Sequence, residues 1–369
     1  MFASLFKKRE ALLAIDIGAA GIKLVELDIN GDTPKLLNIG HAIVAGDIFS
    51  NNTITKTEKI AEQITALLEG NSIADKRVIT AVPGPAVFTK RIKMARMDAT
   101  ELASNITLEA GNFIPHNIDA VKLDYHVIGQ SGKSQIDVLV AAVKDEILES
   151  FASCFSMAGL EVAIVDVDHF AIQNMFELNY PELLNKTVAL VNMGARYSSI
   201  NICRGGDSLF TGDVAVGGKL FTDAIVETMG VPFEQAENLK RKGGSAVSGS
   251  KAANDAMADA VQDVIDRNIE YVAGELNRQL SFFWNASGAD ESIETILLSG
   301  GGCLIPGLLE ELSEKTGIPC QLADPLRAID KGDNFDAAYL KELAPLLSVA
   351  VGMGIRSPGD KEIPEFDED

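Results

Sequence analysis

The chain has 369 residues, 47% of them hydrophobic, enough for a large core or a duplicated α/β body. Its 32 Lys and Arg against 53 Asp and Glu give a formal net charge of −21, which excludes a nucleic acid polymer as a general partner. No uncharged run reaches the ~20 apolar residues of a membrane span, and Cys154, Cys203, Cys303 and Cys320 lack metal-binding spacing.

Met1–Arg9 carries Phe2, Leu5 and Phe6 ahead of Lys7-Lys8-Arg9, which is too short for a signal peptide. It suits either a frayed amphipathic tail or a contact with an anionic membrane surface. Ala14–Leu27 reads as strand, tight turn, strand. Thr57–Glu69 reads as a helix with Ile60, Ile64, Leu67 and Leu68 on one face and Gly70 as its stop. Strands follow at Arg77–Val82 and Ala86–Met94, around Pro83-Gly84-Pro85. Asp98-Ala99-Thr100-Glu101 is a capping-box pattern opening a helix to about Gly111. Strands at Val121–Ile128 and Gln135–Val143 lead to a helix at Lys144–Met157, so 78–159 reads as a compact β/α insert. Glu161–Val167 is a buried strand running into a helix at Asp168–Leu178. Val188–Cys203 is again strand, tight turn, strand. Gly243–Lys251 reads as a surface loop, followed by a long helix to about Ala286. The segment from Ile296 is strand, Gly300-Gly301-Gly302, helix, and Pro358–Asp369 is an acidic, unstructured end.

The two hairpins superpose in sequence. Asp16-Ile17-Gly18-Ala19 lies over Asn192-Met193-Gly194-Ala195 at an offset of 176 residues, which points to duplicated lobes. A glycine turn aims successive N–H groups at one point and makes an anion nest. Two facing nests, Gly18-Ala19-Ala20-Gly21 and Gly194-Ala195, clasp a polyphosphate. Asp16 suits the hydration shell of Mg²⁺, and Lys23 on the outgoing strand carries a point charge toward the phosphates. Gly300, Gly301 and Gly302, with Leu304 behind them, let a flat ring approach the backbone. Gly217-Gly218-Lys219 precedes a helix, after which Glu237 and Lys240 stand at i, i+3. That pair suits either a solvated ion pair or a clasp on ribose and base.

In this order the motifs resemble the actin-like ATPase superfamily: two duplicated lobes around a nucleotide cleft, an α/β fold. The narrower resemblance is to the PilM family of type IV pilus assembly proteins. It is carried by Val82-Pro83-Gly84-Pro85-Ala86-Val87-Phe88, Ile92-Lys93-Met94 and Glu109-Ala110-Gly111-Asn112-Phe113-Ile114-Pro115. Asp166-Val167-Asp168, Gly217-Gly218 and Ala350-Val351-Gly352-Met353-Gly354 add to it. The resemblance implies a division into 1–77 (start of lobe I), 78–159 (inserted subdomain), 160–186 (rest of lobe I and hinge), 187–355 (lobe II) and 356–369 (acidic tail). It implies ATP and Mg²⁺ as cofactors. It also implies a cytoplasmic protein, peripheral to the bacterial inner membrane, that docks the N-terminal cytoplasmic tail of PilN beside the insert. From there it links the membrane alignment complex to other cytoplasmic components of the pilus machine. Self-association stays open. The division protein FtsA shares the lobes but ends in an amphipathic membrane helix, where this chain ends in Glu365-Phe366-Asp367-Glu368-Asp369. A sugar-kinase-like phosphotransferase is a further alternative, which lacks its acceptor-activating carboxylate here.

Two departures bear on catalysis. The first hairpin usually carries hydroxyls where Ala19 and Ala20 stand, and the second usually carries Asp where Asn192 stands. Asn cannot act as an anionic metal ligand or base. Asp168 and Gln173 are the candidates to position water, Asp168 being equally a candidate helix N-cap. The expectation is nucleotide binding with weak or absent hydrolysis.

Overall fold

The computed structural model describes residues 10–44, 46–132, 134–241, 251–287 and 292–360. Met1–Arg9, the predicted loop at 243–250 and residues 361–369 of the acidic end lie outside them. β1 (Leu13–Ile17) turns back into β2 (Gly21–Asp28), which pairs with β3 (Lys35–Ile43). A small hairpin, β4 (Phe49–Ser50) and β5 (Thr53–Ile54), precedes α1 (Thr57–Gly70), and β6 (Arg77–Val82) lies parallel to β1. The chain then leaves the lobe for β7 (Val87–Ala95), α2 (Ala99–Ala110), β8 (Val121–Gln130) and β9 (Gln135–Lys144). It returns through α3 (Asp145–Met157), β10 (Glu161–Val167) and α4 (Asp168–Asn179). The lobe I sheet has the order β3-β2-β1-β6-β10.

Lobe II repeats this plan with β11 (Val188–Met193), β12 (Ser198–Arg204) and β13 (Asp207–Val214). There follow α5 (Gly218–Met229), α6 (Phe233–Arg241), α7 (Lys251–Ser287), β14 (Thr295–Ser299), α8 (Leu308–Thr316) and β15 (Cys320–Leu322). The sheet order β13-β12-β11-β14-β15 matches lobe I strand for strand. The register matches too. Asp16 faces Lys23, which faces His41; at the same places in lobe II, Asn192 faces Ser199, which faces Asp213. The central strand β2 is covered on both faces and buries Leu24, Val25 and Leu27 alike.

α2 is capped by Asp98, whose carboxylate accepts the N–H groups of Thr100 and Glu101. Its buried Leu102 and Ile106 pack on Val138 and Val140 of the order β7-β9-β8, giving the insert a core of its own. The sequence placed the insert at 78–159, and hydrogen bonding narrows it. β6 is a strand of the lobe I sheet, and α3 buries Phe151, Cys154 and Phe155 against Ile60 and Ile64 of α1. The end of the chain crosses back as well. α9 (Ala337–Leu343) leads to α10 (Ser348–Gly354), which packs on α4, β1 and β2 rather than within lobe II. Arg356 then pairs with buried Asp166 of β10 at 2.7 Å.

The crossing of α10 over α4 sits on Gly352. A Cβ there would lie 1.6 Å from the carbonyl oxygen of Ala171. Gly352→Ala is therefore expected to destabilise by about 3 kcal/mol in urea unfolding. Gly274→Ala in α7, where a Cβ meets nothing within 4 Å, should instead stabilise by about 0.5–1 kcal/mol.

Candidate functional site

The first hairpin closes through Gly18 and Gly21, each N–H donating to the other's carbonyl at 3.0 and 3.3 Å, which leaves Ala19 and Ala20 at the tip. Asp16, Lys23 and His41 stand in one cross-strand row on the face toward lobe II, opposite the face that carries Ile15 and Ile17. Lys23 Nζ donates to Asp16 Oδ2 at 2.9 Å. Space restricts Gly21, where a Cβ would lie 2.8 Å from the Ala42 carbonyl oxygen and 2.6 Å from His41 Nε2; one on Gly18 would only displace the Lys23 ammonium, 2.7 Å away. Burial, Lys23 and Arg241 of α6 hold the His41 pKa below its usual value, against Asp16 and Glu342. His41 belongs to this wall, and no local motif marks it.

The second hairpin is cradled by backbone. Gly194 N–H donates to the Tyr197 carbonyl at 2.9 Å, closing the turn Gly194-Ala195-Arg196-Tyr197. Gly218 and Lys219 donate their N–H groups to the carbonyls of Gly194 and Ala195 at 2.9 and 2.8 Å. A Cβ on Gly217 would strike Ala195 and Gly194 at 2.6 Å, and one on Gly300 would lie 2.4 Å from the Met193 carbonyl oxygen. Gly300 and Gly302 thus let β14 and the turn after it pack on the hairpin. Gly301 alone of the three is exposed, with nothing within 4 Å of its Cβ direction.

Beside Gly218 and Gly302 lies Lys240, whose Nζ donates to the Gly218 carbonyl at 3.1 Å and Thr222 Oγ1 at 2.9 Å and pairs with Glu237. Thr222 also donates to Glu237. Burial lowers the Lys240 pKa, against the attraction of Glu237. Of the two readings of Glu237 and Lys240, the solvated surface pair is excluded: Lys240 is 9% exposed. The Lys219 side chain is not brought in. Its ammonium turns along α5 to Asp223 at 2.7 Å. Leu304 lies exposed beyond the glycines.

Asp168 and Gln173 have other engagements. Asp168 begins α4 but does not cap it, since Val167 holds the N-cap position. Its Oδ1 accepts the Gly84 N–H at 2.9 Å, and its Oδ2 accepts the Ser199 hydroxyl at 3.1 Å. One carboxylate thus ties the insert, α4 and lobe II. His169 fills the same joint, with Nε2 3.2 Å from Asp213 Oδ1. Gly84 lies so close over it that a Cβ would sit 2.1 Å from the ring. Burial pushes the Asp168 pKa up to about 6, although His169 opposes the rise. His169 is raised to about 9: burial works against its charge, but Asp168 and Asp213 outweigh it. Gln173 donates to Glu177 and the Gly206 carbonyl and accepts from Asn201. Both side chains bridge the lobes, so their polar atoms already carry structural hydrogen bonds.

At the cleft mouth the lobes meet again. Tyr197 Oη donates to Asn52 Oδ1 of the β4–β5 turn at 2.8 Å.

The family model of the type IV pilus assembly protein PilM matches residues 14–358. The chain belongs to the PilM family. It is similar to a solved PilM–PilN type IV pilus biogenesis complex, with 27% identity and a TM-score of 0.81 over 94% of this chain and 99% of that one. Its fold is shared with the ethanolamine utilization protein EutJ of Carboxydothermus hydrogenoformans (14% identity, TM-score 0.55, 96% and 93% covered). It is shared also with MreB5 of Spiroplasma citri bound to ADP (13% identity, TM-score 0.50, 94% and 95% covered). The actin-like fold with an inserted subdomain expected for a PilM-family chain is therefore the fold observed. Among the described residues no helix is long and apolar enough to cross a membrane, and no three His, Cys, Asp or Glu gather as a metal site. Burial raises the thiols, Cys303 to about 12, as inert cysteines require.

The joint sets a pH dependence. The folded pKa of His169 lies above its ordinary 6.5, so its stabilisation is complete below pH 6.5 and is lost as pH rises through about 9. In unfolding titrations the PilM-family wild type should lose stability across that window relative to His169→Gln. A constant difference between the two would refute the charged joint.

Proposed function

We propose that this chain is a nucleotide-binding scaffold of the type IV pilus machine, and that nucleotide mainly sets its shape. One observation carries this: the two hairpins are built in the same register but with unequal chemistry. Lobe I presents Asp16 and Lys23, whereas lobe II presents the neutral Asn192 and Ser199 at the same places.

The residues fit a nucleoside polyphosphate. The turn tips at Ala19-Ala20 and Ala195 offer N–H groups, Lys23 supplies a cation, and the Gly301 surface beside Glu237 and Lys240 takes base and ribose. Asp16 brings a carboxylate to the lobe I row. It suits Mg²⁺ held through its waters, and Lys23 leaves it when the ammonium turns to phosphate. ATP with Mg²⁺ supplies charge that draws both turns to one ligand. Closure follows to the extent that the closed form binds it better. Hydrolysis is slow or absent, because Asn192 cannot serve as base or anionic ligand, and Asp168 and Gln173 hold the lobes together.

The partner is the N-terminal cytoplasmic tail of PilN, docked beside the insert. Family membership and the likeness to a PilM–PilN complex support this. Through that tail the protein sits peripheral to the inner membrane and connects to the cytoplasmic motor.

Two measurements test the proposal. In calorimetry Lys23→Ala should weaken ATP binding roughly ten- to hundredfold, the worth of a charged hydrogen bond; an unchanged affinity removes Lys23 from the site. A peptide copying the PilN tail should bind and shift insert amides within 83–144. Absence of binding with and without ATP would sink the partner assignment.

A further inference from the structure

A guanidinium taken from water needs a counter-charge. Arg77, Arg91, Arg278, Arg327 and Arg356 each face a carboxylate. Arg196 forms no ion pair among the described residues, in a chain of net charge −21. Its Nη1 is buried and has no hydrogen-bond partner. What surrounds it is aromatic: its guanidinium carbon lies 5.5 Å from the Tyr197 ring and 5.9 Å from the ring of Phe49 in the opposite lobe. Asp168 and Asp213 of the lobe joint are engaged by Gly84, Ser199 and His169.

The position of Arg196 along the cleft says which anion it meets. Lys240 and Gly302 lie beside Gly218. Gly218 donates to Gly194, and Lys219 to Ala195. Arg196 is the next residue of the turn and reaches across to lobe I. A polyphosphate laid from the Lys240 end along this turn meets Arg196 last. The planar fork of a guanidinium matches two oxygens of a phosphoryl group.

We propose that Arg196 recognises the terminal phosphoryl group of a nucleoside triphosphate and so sets the preference for tri- over diphosphate. This rests on the nucleotide reading above. The stacking on Phe49 and Tyr197 holds the cation at the seam of the lobes, where it reports the third phosphate to both.

The test is calorimetric titration of the full chain with Mg-ATP and Mg-ADP, for wild type, Arg196→Gln and Arg196→Lys. Wild type should prefer ATP. Arg196→Gln should lose about tenfold or more in ATP affinity while its ADP affinity stays within about twofold, and Arg196→Lys should recover part of the loss because the charge returns. Thermal unfolding of each variant separates loss of fold from loss of contact, and a lysine variant that folds but shows no partial recovery counts against the inference. Equal losses for ATP and ADP, or none, overturn it while leaving nucleotide binding intact. Failure of wild type to bind either nucleotide overturns the nucleotide reading, and this inference falls with it.

Discussion

A buried carboxylate must find partners for its oxygens or give up its charge, and Asp168 finds them in two other parts of the molecule. Gly84 N–H comes from the entry to the insert and the Ser199 hydroxyl from lobe II, while Asp168 itself starts the helix that packs under both lobes. His169 supplies the compensating charge and is wedged between Gly84 and Asp213. The rest of the architecture hangs on this cluster. The insert cannot tilt without disturbing Gly84, and lobe II cannot rotate without disturbing Ser199 and Asp213.

The duplication explains why these groups meet. The rows Asp16–Lys23–His41 and Asn192–Ser199–Asp213 occupy equivalent registers of equivalent sheets. In lobe I the row is a wall of the cleft and keeps its cation. In lobe II the row has been turned to the joint: Ser199 and Asp213 serve Asp168 and His169, and Asn192 serves the packing of Ser299 and Gly300. One repeated pattern thus keeps a charged row in lobe I and does structural chemistry in lobe II.

Much of this was legible in the chain itself. α2 lies where the Asp98 cap puts it, because that signal is local; β10 lies where its apolar run puts it, but only Asp166 and Val167 of the expected buried strand are buried. The hairpins were legible because glycines needed for tight turns recur at a fixed distance. What escaped the sequence depends on pairing between distant strands. His41 enters the wall only through its register with Lys23, and Asp213 enters the joint only through Ser199. The packing of Gly300 and Gly302 on Met193 escaped the sequence because a glycine that admits a ligand and one that admits a methionine look alike there. The insert was drawn too wide because β6 and α3 have the patterns of any strand and helix; only their partners assign them to lobe I.

The hydrogen bond from Tyr197 to Asn52 spans the mouth of the cleft with two neutral groups. Such a bond contributes about 1 kcal/mol, which weights a two-state ratio by only about fivefold. At that seam the bond is cheap to give up, and the aromatic ring beside Arg196 adds grip without charge. A contact this small holds a seam in place without locking it.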